Sequence, residues 1–218
     1  ELSGTIDLPD TPPVAYAIFA HCFTCTRQVP AASRVCKTLA AHGIACLRFD
    51  FSELGFTSNV EELLAAAAWL ATEHEAPQLL LGHSLGGAAA LRAAEQIDSV
   101  RAVATLAAPY DVSHSVLRFG DRVRDAETAG CVTVTLAGRD IEITREFPDD
   151  QTVDIGNAER IYRELSHPKS LISLDGADHL FTRAQSAQRA GRLIAEWATP
   201  YLDPSYVPPE VNDDRVHS

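Results

Sequence analysis

The chain has 218 residues, 46% of them hydrophobic, which is enough for one domain with a substantial core, and a single α/β domain is expected. Its 18 basic residues against 30 acidic ones leave a net charge of -12 with no basic stripe, so neither nucleic acid nor an anionic membrane surface is an expected partner. No apolar run approaches a membrane span, no export signal opens the chain, and five scattered cysteines suit a reducing compartment, so a cytoplasmic protein is expected.

Residues 14–20 form an apolar run of strand length that leads into His21-Cys22-Phe23-Thr24-Cys25, the pattern of a buried strand ending at a functional loop. Residues 31–42 place Val35 and Leu39 at helical spacing and stop at Gly43, a natural helix end. A strand over 44–51 follows, and Asn59 has the side chain to cap a helix over 60–73. The pattern repeats with a strand over 79–81, a helix over 88–96 and a strand over 100–107. Strands alternating with helices predict a parallel sheet covered on both faces, with active residues at the carboxyl ends of its strands.

After Pro109 the rhythm changes. Residues 131–136 and 141–144 alternate on either side of the turn 137–140, which predicts an inserted β-hairpin. The insertion, residues 110–147, is expected to wall or cover a pocket; the plainer reading is an edge hairpin without contact to substrate. A helix over 157–165, a strand over 169–174 and a last helix over 183–201, with Ile194 and Trp197 on its buried face, complete a domain of residues 1–202. Residues 203–218, rich in Pro and Asp and without periodicity, are expected to be a flexible tail.

The chemistry centres on Gly82-His83-Ser84-Leu85-Gly86-Gly87, a Gly-x-Ser-x-Gly match between an apolar strand and an Ala-rich helix. A serine at such a turn sits in a strained conformation with its hydroxyl above the sheet. Only small neighbours let strand and helix approach that closely, and Gly82 and Gly86 supply them. The helix behind it points free N–H groups to where an oxyanion would form. A serine needs a base. Of eight histidines, His179 is the best placed, in a loop just past the last predicted strand. His83 is expected to pack sideways under the turn, against the substrate pocket, and His21 to shape a loop; neither is expected to carry protons.

Together with Leu47-Arg48-Phe49-Asp50-Phe51, Ala107-Ala108-Pro109 and Ser173-Leu174-Asp175-Gly176-Ala177-Asp178-His179, these motifs resemble the α/β-hydrolase superfamily. More narrowly, they are similar to the hydrolase modules that occur alone or fused to OsmC-type peroxide-reductase domains. The resemblance implies a Ser-His-Asp hydrolase with Ser84 as nucleophile and His179 as general base, then acid. It also implies an oxyanion hole made by the backbone N–H groups of Leu85 and Phe23. The family loop usually begins His-Gly, whereas this chain has His21-Cys22, and a side chain there narrows the backbone choices of that loop.

Asp150-Gln151-Thr152-Val153 resembles the family's Asp-x-Thr element that carries the triad acid, which favours Asp150 over Asp140, Asp175 and Asp178. A parallel strand should deliver that acid, yet residues 144–149 are charged, contain Pro148 and cannot form a central strand. The chain also contains no Met. A stretch of chain is therefore expected to be missing before Asp150, and another near Gly55-Phe56, where the family has a longer loop.

Cys22 and Cys25 form Cys-x-x-Cys beside the expected oxyanion hole. A zinc site would need further paired ligands, while Cys36, Cys46 and Cys131 stand alone in sequence, and a redox motif would not explain Ser84. Pocket-lining thiols, with Cys22 in the substrate site, are the expectation. The glycine-rich turn lacks the Lys-Ser/Thr pair of a phosphate loop. The reading is a carboxylesterase-like hydrolase of small acyl esters, without metal or cofactor. A thioesterase or amidase would use the same machinery, and a non-catalytic binding module of this fold is the alternative of another kind.

Overall fold

The computed structural model describes residues 2–22, 26–52, 55–111, 131–136, 139–144, 155–166 and 168–207, without the side chains of 131–144 and of Ile155. The central sheet contains β1 (Gly4–Asp7), β2 (Ala15–Ala20), β3 (Ile44–Phe49), β4 (Leu79–His83) and β5 (Ala102–Leu106) in the order β1-β3-β2-β4-β5. All neighbours pair in parallel except β1, which runs antiparallel to β3. Helices α1 (Pro30–Ala41), α2 (Phe56–Glu73), α3 (Leu85–Ala94), α4 (Ile155–Glu164) and α5 (Ala184–Leu202) follow in the chain.

Strands β2, β3 and β4 are buried along their whole length, which is why they read as continuous apolar runs rather than alternating ones. Their period of two shows instead in the destination of each side chain. Phe19, Cys46, Leu79 and Leu81 face the core layer that holds α1 and α5, whereas Ile18, Leu47, Phe49 and Leu80 face the layer of α2 and α3. Full burial of each such leucine contributes about 2 kcal/mol.

The strand order positions the site. β3 lies on one side of β2 and β4 on the other, so the winding reverses between β2 and β4 and opens a crevice at their carboxyl ends. The segment beginning at His21 leaves β2 there, and Ser84 leaves β4 there.

Several elements differ from expectation. Asn59 does not cap α2: the helix starts at Phe56 after Gly55, and Asn59 lies inside its first turn, 1% exposed, with its N–H donating to the Gly55 carbonyl. Gly55 thus runs directly into the helix. Residues 169–174 form no strand, and Leu171 and Ile172 are exposed. An apolar run becomes a strand only when a neighbour supplies the ladder, and among the described residues β5 pairs with β4 alone. Strand β1, too short and polar to read from sequence, is held by β3 and by a two-point ion pair from the Arg48 Nε and Nη2 to Asp7, at 2.6 and 3.2 Å. The predicted hairpin is present as β6 (Cys131–Leu136) and β7 (Arg139–Thr144), a separate antiparallel pair. The trailing 208–218 lie outside the described residues.

A Cβ on Gly82 would collide with the Gly86 carbonyl and the Gly87 Cα, and one on Gly86 with the carbonyls of Ala20 and His21. Gly82→Ala and Gly86→Ala are each expected to lower the unfolding free energy by about 3 kcal/mol or to abolish folding, because backbone has nowhere to yield. Denaturant titration checks this; a loss below about 0.5 kcal/mol at either position would show that the turn is looser than described.

Candidate active site

Ser84 adopts φ 55° and ψ -125°, a region that L-residues rarely occupy. Its N–H donates to the Leu106 carbonyl of β5 at 2.8 Å, and its carbonyl accepts from the Gly87 N–H at 2.8 Å, so the turn is tied to both the next strand and the helix it starts. Leu85 opens α3, which puts its N–H among the first-turn donors that lack an intrahelical acceptor, at the positive end of the helix dipole. Phe23, the other expected oxyanion donor, lies outside the described residues.

The chain leaving β2 is held at two points. His21 is 3% exposed; its Nε2 accepts the Phe51 N–H at 3.3 Å, which leaves the proton on Nδ1 to donate to the Cys22 carbonyl at 2.7 Å. Further along, Asp50 accepts the Arg27 N–H at 2.6 Å and its guanidinium Nη1, while Arg48 Nη1 donates to the Arg27 carbonyl. Both anchors belong to the segment at the end of β3. His21 thus ties the end of β2 to the segment after β3; the contacts of Asp50 and Arg27 had no motif to announce them.

Residues 178–182 form a compact turn. The Asp178 carboxylate accepts the N–H groups of Leu180 and Thr182, at 3.0 and 3.2 Å, and the Thr182 hydroxyl at 2.7 Å, and these bonds lower its pKa. Its oxygens face their own turn, which sets Asp178 aside as a triad acid. Phe181, at φ 50°, inserts its ring into the core. His179 is carried between them, its ring 5.2 Å from that of His83. His83 Nε2–H donates to the His179 carbonyl oxygen at 2.6 Å. The structure therefore brings the strand bearing Ser84 and the loop bearing His179 together, through His83. Asp150 lies outside the described residues, as does the side chain of Asp140; Asp175 is exposed.

Two cysteine expectations change. Cys22 is buried but carries no free thiol: it is disulfide-bonded, to a sulfur outside the described side chains. Cys36 of α1 and Cys46 of β3, apart in sequence, are free and buried with their Sγ atoms 2.6 Å apart. Among the described residues no group of three or more His, Cys, Asp or Glu side chains could hold a metal, and no helix is long and apolar enough to cross a membrane. At the start of the insertion, the Tyr110 N–H donates to Asn157 Oδ1 of α4 at 3.0 Å, which fixes where the chain leaves the β5 end of the site.

His83 gives the site a pH signature. Burial, the largest influence, pushes its pKa down from 6.5 to about 4. The His179 carbonyl and Asp178 oppose that shift, and the charges of His179 and His21 reinforce it. The unfolded state therefore binds the proton more readily than the folded one. The folded state is at full advantage above pH 6.5 and loses it as pH falls toward about 4, a contribution of about 3 kcal/mol. Denaturation from pH 7 to pH 4 should show this acid slope in the wild type and a shallower one in His83→Gln, which has no group to titrate; equal slopes would place the titration elsewhere.

Residues 17–215 match the model of the family described as the alpha/beta hydrolase family. Among curated proteins no match was found. The structure of the esterase domain of a Rhodothermus marinus protein is 36% identical, with a TM-score of 0.72 over 93% of this chain and 99% of that one. A dienelactone hydrolase from Anabaena variabilis is 21% identical, with a TM-score of 0.66 over 92% of each chain. An α/β serine hydrolase without lid from Xanthomonas campestris is 18% identical, with a TM-score of 0.65 over 90% of this chain and 89% of that one. At these lower identities the likeness shows the fold alone. A family match over most of the chain, together with a 36% identical relative that overlaps it almost end to end, is decisive: the chain belongs to the alpha/beta hydrolase family.

Proposed function

We propose that this hydrolase cleaves carboxylic esters with small acyl groups through Ser84, His179 and Asp150. The observation that carries the reading is the Ser84 turn: a serine held at φ 55° between a buried strand and a helix N-terminus contributes little to packing, so the strain has its use in chemistry. The 36% identity with an esterase domain supports ester substrates.

In this reading the Ser84 Oγ attacks the ester carbonyl carbon as His179 takes its proton. The oxyanion gathers against the Leu85 N–H and a donor of the segment after β2, for which Phe23 is the candidate. Collapse of the tetrahedral intermediate breaks the bond to the alcohol, which leaves with the proton from His179. Water, deprotonated by the same imidazole, then releases the acid and restores Ser84. Asp150 orients the imidazole and balances its charge. Leaving-group choice between ester, thioester and amide belongs to the pocket walls rather than to the triad.

Ser84→Ala should abolish hydrolysis of p-nitrophenyl acetate without changing the unfolding midpoint, and a fluorophosphonate should label the wild type stoichiometrically at Ser84. A folded protein that neither reacts nor hydrolyses would instead be a binding module. His179→Ala should match the serine loss, because triad members act as a unit. Asp150→Asn should lower kcat by about 10³–10⁴-fold, as expected when a triad base loses its orienting carboxylate; wild-type kcat in that variant would remove Asp150 from the triad.

A further inference from the structure

We propose that His83 is a positioning residue for this hydrolysis: its Nε2–H grips the backbone of His179 and so holds the general base in register with the nucleophile next to it in the chain. The proposal rests on the assignment of Ser84 and His179 above and extends it to the residue between strand and turn.

The strand period sets the geometry. His83 follows Leu79 and Leu81 at spacing two on β4, so its side chain is on the sheet face that packs α1 and α5, and the segment leading into α5 is the one that carries His179. There the ring is 3% exposed, tilted against the His179 ring and edge-on to Phe181 at 5.9 Å. A carbonyl oxygen can only accept, so the 2.6 Å contact with the His179 carbonyl places the His83 proton on Nε2. Burial keeps the ring neutral and, by lowering its pKa to about 4, makes it a poor proton acceptor.

The rest of the loop is braced from other directions. Asp178 ties the turn to itself through Leu180 and Thr182, and Phe181 roots it in the core. Those contacts give the loop its shape. The His83 bond reaches the His179 residue itself and joins it to the strand whose next residue is Ser84. A base displaced by about 1 Å from its working position loses up to about 100-fold in rate, so one anchor at this point has kinetic weight.

The test compares His83→Phe, which keeps a ring and removes the donor, with His83→Gln, which keeps an N–H donor of similar reach, on p-nitrophenyl acetate. For the Phe variant kcat is expected to fall about 10–100-fold while KM changes less than about threefold, with fluorophosphonate labelling of Ser84 slowed in proportion. The Gln variant should recover most of that loss. A purely structural role would lower the unfolding midpoint and leave the kcat of the folded fraction intact. Wild-type kcat in His83→Phe, or a Gln variant no better than Phe, overturns the proposal. If the Phe variant does not fold, His83→Asn, whose amide is too short to reach the carbonyl, takes its place against Gln under the same criteria. Ser84→Ala run in parallel separates the two levels: activity surviving there sinks the hydrolase assignment, whereas activity lost there but kept in His83→Phe sinks the positioning role alone.

Discussion

The close approach of α3 to the ends of β2 and β4 is the constraint on which the site depends. Gly82, Gly86 and Gly87 let helix backbone rest where side chains would otherwise stand, and a Cβ on Gly87 would come within 2.7 Å of the Ala108 Cβ. With that approach in place, the chain between β4 and α3 has only a tight turn available, and Ser84 takes the positive φ that a longer connection would have relieved. The strain is borne by the sheet: the Leu106 carbonyl accepts the serine N–H, and three fully buried leucines precede the turn. A rigid strand below and a helix end above leave the hydroxyl little freedom, which is the preorganisation an acyl-transfer site requires.

Around this fixed point, polar groups are buried where strands end. His21, Arg48, His83 and Ser84 are all buried, and each has a chemical reason to be there: a backbone carbonyl, an aspartate, a neighbouring loop or the turn itself. His21 and His83 do similar work on opposite sides of the crevice. One imidazole donates to the Cys22 carbonyl; the other holds the His179 carbonyl.

The cysteines show how far tertiary contacts can depart from sequence spacing. Cys36 and Cys46 sit on α1 and β3, yet the helix returns over the sheet so that their sulfurs meet inside the core. Cys22 is engaged in a disulfide at the start of the segment after β2.

The sequence alone determined the α/β class, the parallel sheet buried on both faces, the turn at Ser84 and the glycines that permit it, because these follow from local composition and period: apolar runs of strand length, helical spacing, small residues flanking a serine. It also singled out His179 by its place after the last apolar run. Tertiary structure decided what depends on partners distant in the chain. Strand β1 exists because β3 and Arg48 receive it, and residues 169–174 lack a ladder because among the described residues the sheet ends at β5. Asn59 looked like a helix cap and is buried one turn inside, since Gly55 and the packing of Val60 and Leu63 set where α2 begins. The anchoring of His179 by His83 belongs to the same class: each residue stands in a motif of its own, and only the folding of the α5 end of the chain across β4 brings the donor N–H to the carbonyl.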